Sequence, residues 1–336
     1  KAEETVQRVL VRGYRGKEVI VDYTGGTKNM SVALALAAIT HGFSFSYVGG
    51  SERTKDGVGI VVNGYEKVYP SINPWDFLAV EEKRKIAALF NQYQFKAARN
   101  LTDNLLERAT KYKSVFKKLG FLIDGYYSWD LFRHQRALEF FKKAKIDEIL
   151  ETDDKAIKTL AIDTKKILAL LEDIVKNDKS PSIILMLDLY SNAERRFEEG
   201  KIDDAILRLY RLVEMSAQEK LFRKYDIDVS DIKEDQIPEK CKNEFVKNYK
   251  SQRDGKIKIS QTAAFKLIYV LGDDLGQRFK DNESRFLDIQ YSRNYSYLVH
   301  GFNSSNEKTY ELLRDFILGL NIFEVKDAPV FPKIVI

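Results

Sequence analysis

The sequence is poor in cysteine, histidine, tryptophan and methionine, and it has no long apolar run. Its 336 residues include one cysteine, Cys241, three histidines, two tryptophans and three methionines. A lone thiol excludes an intrachain disulfide framework. No stretch approaches the roughly 18 consecutive apolar residues of a membrane span, and no signal peptide is visible. A cytoplasmic location is therefore expected, with no membrane partner. His41, His134, His300 and Cys241 are scattered, so no clustered metal set stands out and neither a metal nor a resident cofactor is expected. There is no exact internal repeat and no low-complexity segment. The chain starts KAEETVQRVL, without methionine, which fits a fragment, a processed product or a chain with a further N-terminal part.

What is present is ordinary for a globular protein: 44% hydrophobic and 31% charged residues, with a net charge of +5. That mildly basic balance permits a polyanionic partner without demanding one. The length suits two or three domains.

The first part reads as α/β. Glu18–Tyr23 (EVIVDY) is a β-branched run suited to a buried strand. Gly25 and Gly26 end it, Ser31–Ile39 is a small-residue helix able to pack closely on a sheet, and Phe43–Val48 is a second strand. Gly57–Val62 and Glu66–Tyr69 read as a further hairpin. This is the strand–helix–strand unit of a doubly wound sheet. After Pro70–Pro74 the pattern turns helical. Ile86, Leu89, Phe90, Tyr93 and Ala97 recur at helical spacing, and breaks are expected near Gly120, Gly125 and Thr152–Asp154. A boundary is expected at Asn177–Ser182, with Ser180 as N-cap and Pro181 in the first turn. Two helices follow on either side of Gly200, the second with Ile202, Ile206, Leu209, Val213 and Ala217 on one face. The second half is all-α, and APVFPKIVI at the end reads as a terminal strand or an ordered tail. The division is thus 1–78, 79–178 and 179–336.

Two stretches carry candidate chemistry. Thr24, Gly25, Gly26, Thr27, Lys28 and Asn29 lie between a strand and a helix. Exposed N–H groups, the positive end of the helix and a lysine favour an anion there. Asn29 follows Lys28 where a P-loop needs Ser or Thr, and G-x-G-x-x-G is absent. The alternative is a glycine-rich tight turn with no ligand.

The second stretch is SRNYSYLVHGF at Ser292–Phe302. Arg293 and His300 are two helical turns apart, offset by about 20°. Leu287, Tyr291, Tyr295, Leu298 and Phe302 form the expected core stripe, with Arg293 and His300 nearly opposite and Phe286, Ile289 and Tyr297 bordering them. Such a helix has two faces to bury, which points to a second subunit with Arg and His gathered at a two-fold contact. The alternative is an exposed arginine and a histidine at the helix C-terminus before Gly301.

DYTGGTKNMS at Asp22–Ser31 resembles the nucleotide-binding loop of CRISPR-associated Rossmann-fold (CARF) domains. R-N-x-x-x-x-x-H at Arg293–His300 resembles the R-x(4–6)-H motif of HEPN ribonucleases, and AERRFEEGKIDDAILRLYRLVE looks like a HEPN helix pair. The order is that of the ancillary CARF–HEPN ribonucleases of type III CRISPR systems, and the combination favours the functional reading of both stretches. The resemblance implies an N-terminal Rossmann-like CARF domain, a helical connector and a C-terminal α-helical HEPN domain. The earlier β–α loop that completes a CARF ligand site is not found before Glu18, so that domain is expected to be reduced or incomplete. The implied activity is metal-independent endonucleolytic cleavage of single-stranded RNA by its own 2′-OH, in antiviral defence. Arg293 would stabilise the phosphorane, His300 would handle a proton and Asn294 would orient histidine or phosphate. Thr24–Asn29 would bind an activating cyclic oligoadenylate across a homodimer formed through both domains. A constitutive or toxin-like HEPN ribonuclease and a non-catalytic nucleotide-sensing scaffold are the competing readings.

Overall fold

The computed structural model describes the chain except residues 53, 55–60, 73–74, 109–111, 178–179 and 295–305; at 17, 70–72, 75–78 and 292–294 only the backbone is described. The described residues are mostly helical, with one three-stranded sheet. They divide into two units. One comprises Lys1–Tyr127, Glu139–Ile162 and Lys333–Ile336, the other Ser128–Leu138 and Asp163–Pro332. Among the described residues no helix is long and apolar enough to cross a membrane.

The first unit opens with α1 (Ala2–Val11), β1 (Ile20–Asp22), α2 (Lys28–Ile39), β2 (Ser44–Gly50) and β3 (Glu66–Ile72). The sheet order is β1-β2-β3. β1 runs parallel to β2, with Val21 opposite Phe45, so β1–α2–β2 is the expected strand–helix–strand unit. β3 runs antiparallel to β2 with a bulge between Phe45 and Tyr47. The described ladder of β3 is made with β2; its expected hairpin with Gly57–Val62 falls mostly on residues 57–60, which lie outside the described residues. β3 also continues through Pro70, tolerable on an edge strand because proline has no N–H to give. Val6, Val21, Ala38, Phe43 and Phe45 form a small core. The expectation of a buried strand over Glu18–Tyr23 is corrected, since β1 spans three residues and only Val21 of them is buried.

Helices α3 (Trp75–Asn91), α4 (Phe95–Arg108), α5 (Lys113–Asp130), α6 (His134–Ala144), α7 (Ile146–Ile149) and α8 (Lys155–Lys176) follow. The division between units falls inside α5, α6 and α8. The single periodic run from Ile86 to Ala97 is instead two helices, because the chain turns at Tyr93 with φ 60°. Nor do Gly120 and Gly125 break a helix. Both lie within α5, where the missing side chain at Gly125 admits Phe141: a Cβ there would sit 2.4 Å from a ring carbon. Phe90, Phe95, Tyr126 and Phe141 form one aromatic cluster, with neighbouring ring centroids 5.1–6.3 Å apart.

The second unit contains α9 (Ile183–Glu198), α10 (Ile202–Tyr225), α11 (Glu239–Tyr249), α12 (Gln261–Val270), α13 (Asp274–Asp281), α14 (Glu283–Asn294) and α15 (Glu307–Gly319). α9 starts two residues later than expected: Ser182, not Ser180, occupies the N-cap position. Gly200, at φ 73°, ends the α9 turn as expected. Ile206, Leu209, Val213 and Ala217 are buried in one large core with Phe265, Phe279, Phe286 and Phe316. The expected stripe on α14 is inverted. Phe286 and Ile289 are buried, whereas Leu287 and Tyr291 are 46% and 65% exposed. The two rows lie on different sides of the helix, and the rings of Phe279 and Phe316 claim the one that holds Phe286. The final residues form no strand. They are an ordered tail in which Asn91 brackets Ile334, its amide donating to the carbonyl at 2.9 Å and accepting from the N–H at 2.7 Å.

Gly125→Ala is expected to cost about 1–3 kcal/mol through overpacking against Phe141. Gly120→Ala meets the Arg99 guanidinium at 3.0 Å, which is paired with Asp103 and Asp124 but can give by a few tenths of an ångström, and should cost less. Urea midpoints of the two variants decide it, and equal losses would contradict the packing account.

Candidate functional site

The glycine loop is built by short side-chain bonds at the end of β1. Asp22 Oδ1 accepts from the Thr24 N–H at 3.0 Å, and Oδ2 accepts from the Ser46 hydroxyl at 2.5 Å. Thr24 Oγ1 accepts from the Val48 N–H at 2.8 Å, which ties the loop to β2. The Ser46 hydroxyl, followed by the Thr24 N–H and hydroxyl, holds the Asp22 carboxyl below the usual carboxylate range. Thr27 is the N-cap of α2, its Oγ1 accepting from the Met30 N–H at 3.3 Å. Ser31 Oγ donates to the Tyr23 carbonyl at 3.2 Å, and it sits 3.0 Å from where a Cβ on Gly26 would stand. Gly25 has open space at that position.

That open space belongs to a cavity of about 650 Å³, bounded by Asp22, Tyr23, Gly25, Gly26, Met30 and Leu34 together with the start of α1. Thr24, Thr27, Lys28 and Asn29 are exposed and lie outside its lining. Tyr23 continues into a ladder of rings across the sheet, stacked on Tyr47 at 5.6 Å, which stacks on Tyr69 at 6.3 Å. The cavity therefore offers bare glycine backbone, the positive end of α2 and an aromatic edge. Those suit a phosphate beside a planar group, while Asp22 can accept from a hydroxyl.

Of the second candidate set, Arg293 and Asn294 are the last two residues of α14, described in backbone only. His300 lies outside the described residues, as do Tyr295, Tyr297, Leu298 and Phe302. Arg293 shares the helical register of Phe286 and Ile289, seven and four residues on. The Asn306 side chain, which accepts from the Thr309 N–H at 2.9 Å, starts α15.

A buried polar cluster behind these helices escaped the sequence reading. Asp130 Oδ1 accepts from Arg195 Nε at 2.9 Å and from Asn192 Nδ2 at 3.2 Å, and Oδ2 accepts from Arg196 Nη2 at 2.5 Å. Arg196 also meets Glu199 at 2.8 Å. Arg195 is only 3% exposed, with Phe331 covering its guanidinium at 3.8 Å. Arg208 Nε donates to Asn192 Oδ1 at 2.5 Å, and burial pulls the Arg208 guanidinium below its usual range. Nearby Asp188 accepts from Trp129 Nε1 and meets His134 Nε2, each at 2.8 Å. His134 is thus held in a structural contact. A second set links α9 to α15: the Tyr310 hydroxyl donates to Glu194, and Arg314 Nε bonds Tyr190 at 3.0 Å and Glu194 at 3.1 Å. Burial, and then Glu194, push the Tyr310 phenol well up. The one signal in the sequence was the adjacent pair Arg195–Arg196, which no helix can turn wholly to one face, on a helix that begins with an apolar run. Among the described residues, no three His, Cys, Asp or Glu side chains gather as a metal site.

Two family models match the chain: the Csm6 6H domain over residues 78–171 and the Csm6 HEPN domain over residues 174–324. The chain belongs to the Csm6 family of CARF–HEPN ribonucleases. Its fold is also that of a solved relative, Enterococcus italicus Csm6 bound to cyclic hexa-2′-fluoro-hexa-dAMP. That match covers 95% of this chain and 72% of the other, with a TM-score of 0.54 at 13% identity. No curated protein matches. The Csm6 HEPN match contains α9 and α10 with their buried arginines, α14 with Arg293 and Asn294, and the segment carrying His300.

Asp130→Asn leaves two buried guanidinium groups without their shared anion and is expected to cost about 3–5 kcal/mol; a urea-melt loss under about 1 kcal/mol would contradict this role. Ser46→Ala removes the main hydrogen bond that lowers Asp22, so the Asp22 carboxyl should titrate at higher pH in a carbon-detected NMR titration. An unchanged midpoint would contradict that assignment.

Proposed function

We propose that this Csm6-family chain is a metal-independent endoribonuclease of single-stranded RNA, switched on by a cyclic oligoadenylate during CRISPR antiviral defence. The observation that carries it is the Arg293–Asn294–His300 motif within the matched HEPN region. RNA supplies its own nucleophile, the 2′-OH. Arg293 would bind the phosphorane oxygens through its planar fork. His300, naturally near neutrality, would transfer a proton, and Asn294 would orient it. The products are a 2′,3′-cyclic phosphate and a 5′-hydroxyl. No resident cofactor takes part.

The activator reading rests on the cavity at the glycine loop and on the solved Csm6 relative, whose title names a cyclic hexanucleotide ligand. Gly25 and Gly26 would face the ring, with Thr24, Thr27, Lys28 and Asn29 on phosphates reaching past the cavity. We assign residues 1–78 to a reduced, Rossmann-like CARF domain, 79–178 to the connector and 179–336 to the HEPN domain. A homodimer would cover Leu287 and Tyr291 on α14, and Met30, Val32 and Leu36 on α2, all exposed in the single chain. Binding would act by favouring one of two arrangements of the paired HEPN domains.

In EDTA, a fluorophore–quencher RNA should be cut when cyclic tetra- or hexa-adenylate is added, with His300→Ala slower by at least about 100-fold. Lys28→Ala should need more activator and keep its basal rate. Cutting that requires a divalent ion would overturn the metal-free mechanism; cutting that ignores the ring would leave a constitutive ribonuclease. No cutting under any condition would favour a sensing scaffold.

A further inference from the structure

The net charge is not evenly spread. Between Asp231 and Lys266 the sequence carries nine Lys or Arg against six Asp or Glu, so about a tenth of the chain holds +3 of its net +5. The segment comprises α11, a turn drawn together by bridges from Ile257 to Ile232 and Lys250, and the start of α12. Many of its cations are neutralised: Lys250 pairs with Glu234, Lys256 with Asp231, Lys258 with Asp254 and Lys266 with Glu244. Lys240 and Lys247 are exposed and make no ion pair among the described residues. They stand four residues before and three after Glu244, on one face of α11.

Glu244 opens onto a cavity of about 380 Å³ between α11, α12 and α13. Its base is aromatic, with Phe265 and Phe279 stacked at 3.8 Å. Tyr249 and Tyr269 line it, Tyr269 being 43% exposed, and Lys266 and Lys280 stand at its edge. Gly276 keeps α12 and α13 close: a Cβ there would fall 2.3 Å from the Tyr269 backbone nitrogen, so the cavity is set by backbone contact. It is large enough for a base. Lys266 and Lys280 are paired with Glu244 and Glu283, so the cations left for a ligand are Lys240 and Lys247 on α11.

We propose that this cavity and the α11 lysines form an accessory site for single-stranded RNA, apart from the Arg293–His300 motif in sequence. A base would stack on Tyr269 while neighbouring phosphates run along Lys240 and Lys247. Aromatic platforms flanked by mobile cations bind single strands with little sequence preference, since every base has a π-face. This rests on the ribonuclease reading for the identity of the ligand; the charge and the aromatic cavity stand without it. The site would hold on to a long transcript between cleavages.

The test is fluorescence anisotropy with a fluorescein-labelled 2′-O-methyl RNA of about 20 nucleotides, which has no 2′-OH to attack. Binding is thus read whether or not the chain is a ribonuclease, and failure of one reading is separable from failure of the other. Lys240→Glu/Lys247→Glu should weaken binding about tenfold. It should also flatten the log–log salt dependence by about 1.4, because each contact to a single strand contributes about 0.7. Tyr269→Ala should weaken binding at least about fivefold with the salt slope unchanged. Both changes are at exposed side chains, and far-UV circular dichroism checks the fold. Unchanged affinity in both variants would overturn the site. So would polyglutamate competing as well as unlabelled RNA, which would mark the lysines as a docking patch for acidic protein.

Discussion

Two guanidinium groups on adjacent residues of a helix cannot be buried unless something negative meets both. In the second unit that something is Asp130, and the placement of α9 follows from it. Each ion has surrendered its water, so the attraction matters less as net stabilisation than as a demand for one arrangement. With α9 fixed, its partner α10 is fixed through Asn192 and Arg208. The Tyr310–Glu194–Arg314 set then ties α15 to α9, and α15 bears on α14. The helix that ends in Arg293 and Asn294 is thus reached from the buried Asp130 cluster through partly buried and then exposed polar contacts, and by its own apolar packing.

The two candidate sites are made differently. The glycine loop is assembled from exposed side chains on a three-stranded sheet, with a core of only a few apolar residues behind it. α14, by contrast, packs through Phe286 and Ile289 into a large continuous core. A ligand-responsive element belongs where reorganisation is cheap, and a catalytic element where it is costly. This contrast in construction is what the proposed division of labour between the two sites would need.

How much of this could be read from residues alone depended on whether the signal was local. The strand–loop–helix at Asp22–Ser31 was legible because β-branched residues and paired glycines each act over a few positions, although the helix starts at Lys28, capped by Thr27, and not at Ser31. The helix pair across Gly200 was legible for the same reason. Gly120 and Gly125 misled because glycine marks either a bend or a close approach, and only the arrival of Phe141 from α6 distinguishes the two at Gly125. The α14 stripe was inverted because both sides of that helix carry large apolar residues, and the choice was made by Phe279 and Phe316, on other helices. Asp130 was invisible for a related reason: its partners stand more than sixty positions away.

Cys241 has a practical consequence. It is the chain's only thiol; it is buried, and desolvation pushes its pKa up. Maleimides and nitroxide reagents should therefore leave the native chain almost untouched. A single cysteine placed at an exposed position away from the proposed dimer contact, such as Lys308 on α15 or Gln7 on α1, would take a label cleanly without first stripping the background. Pulsed electron–electron resonance between two such labels would then give the separation of equivalent helices in paired copies, before and after a nucleotide ring is added.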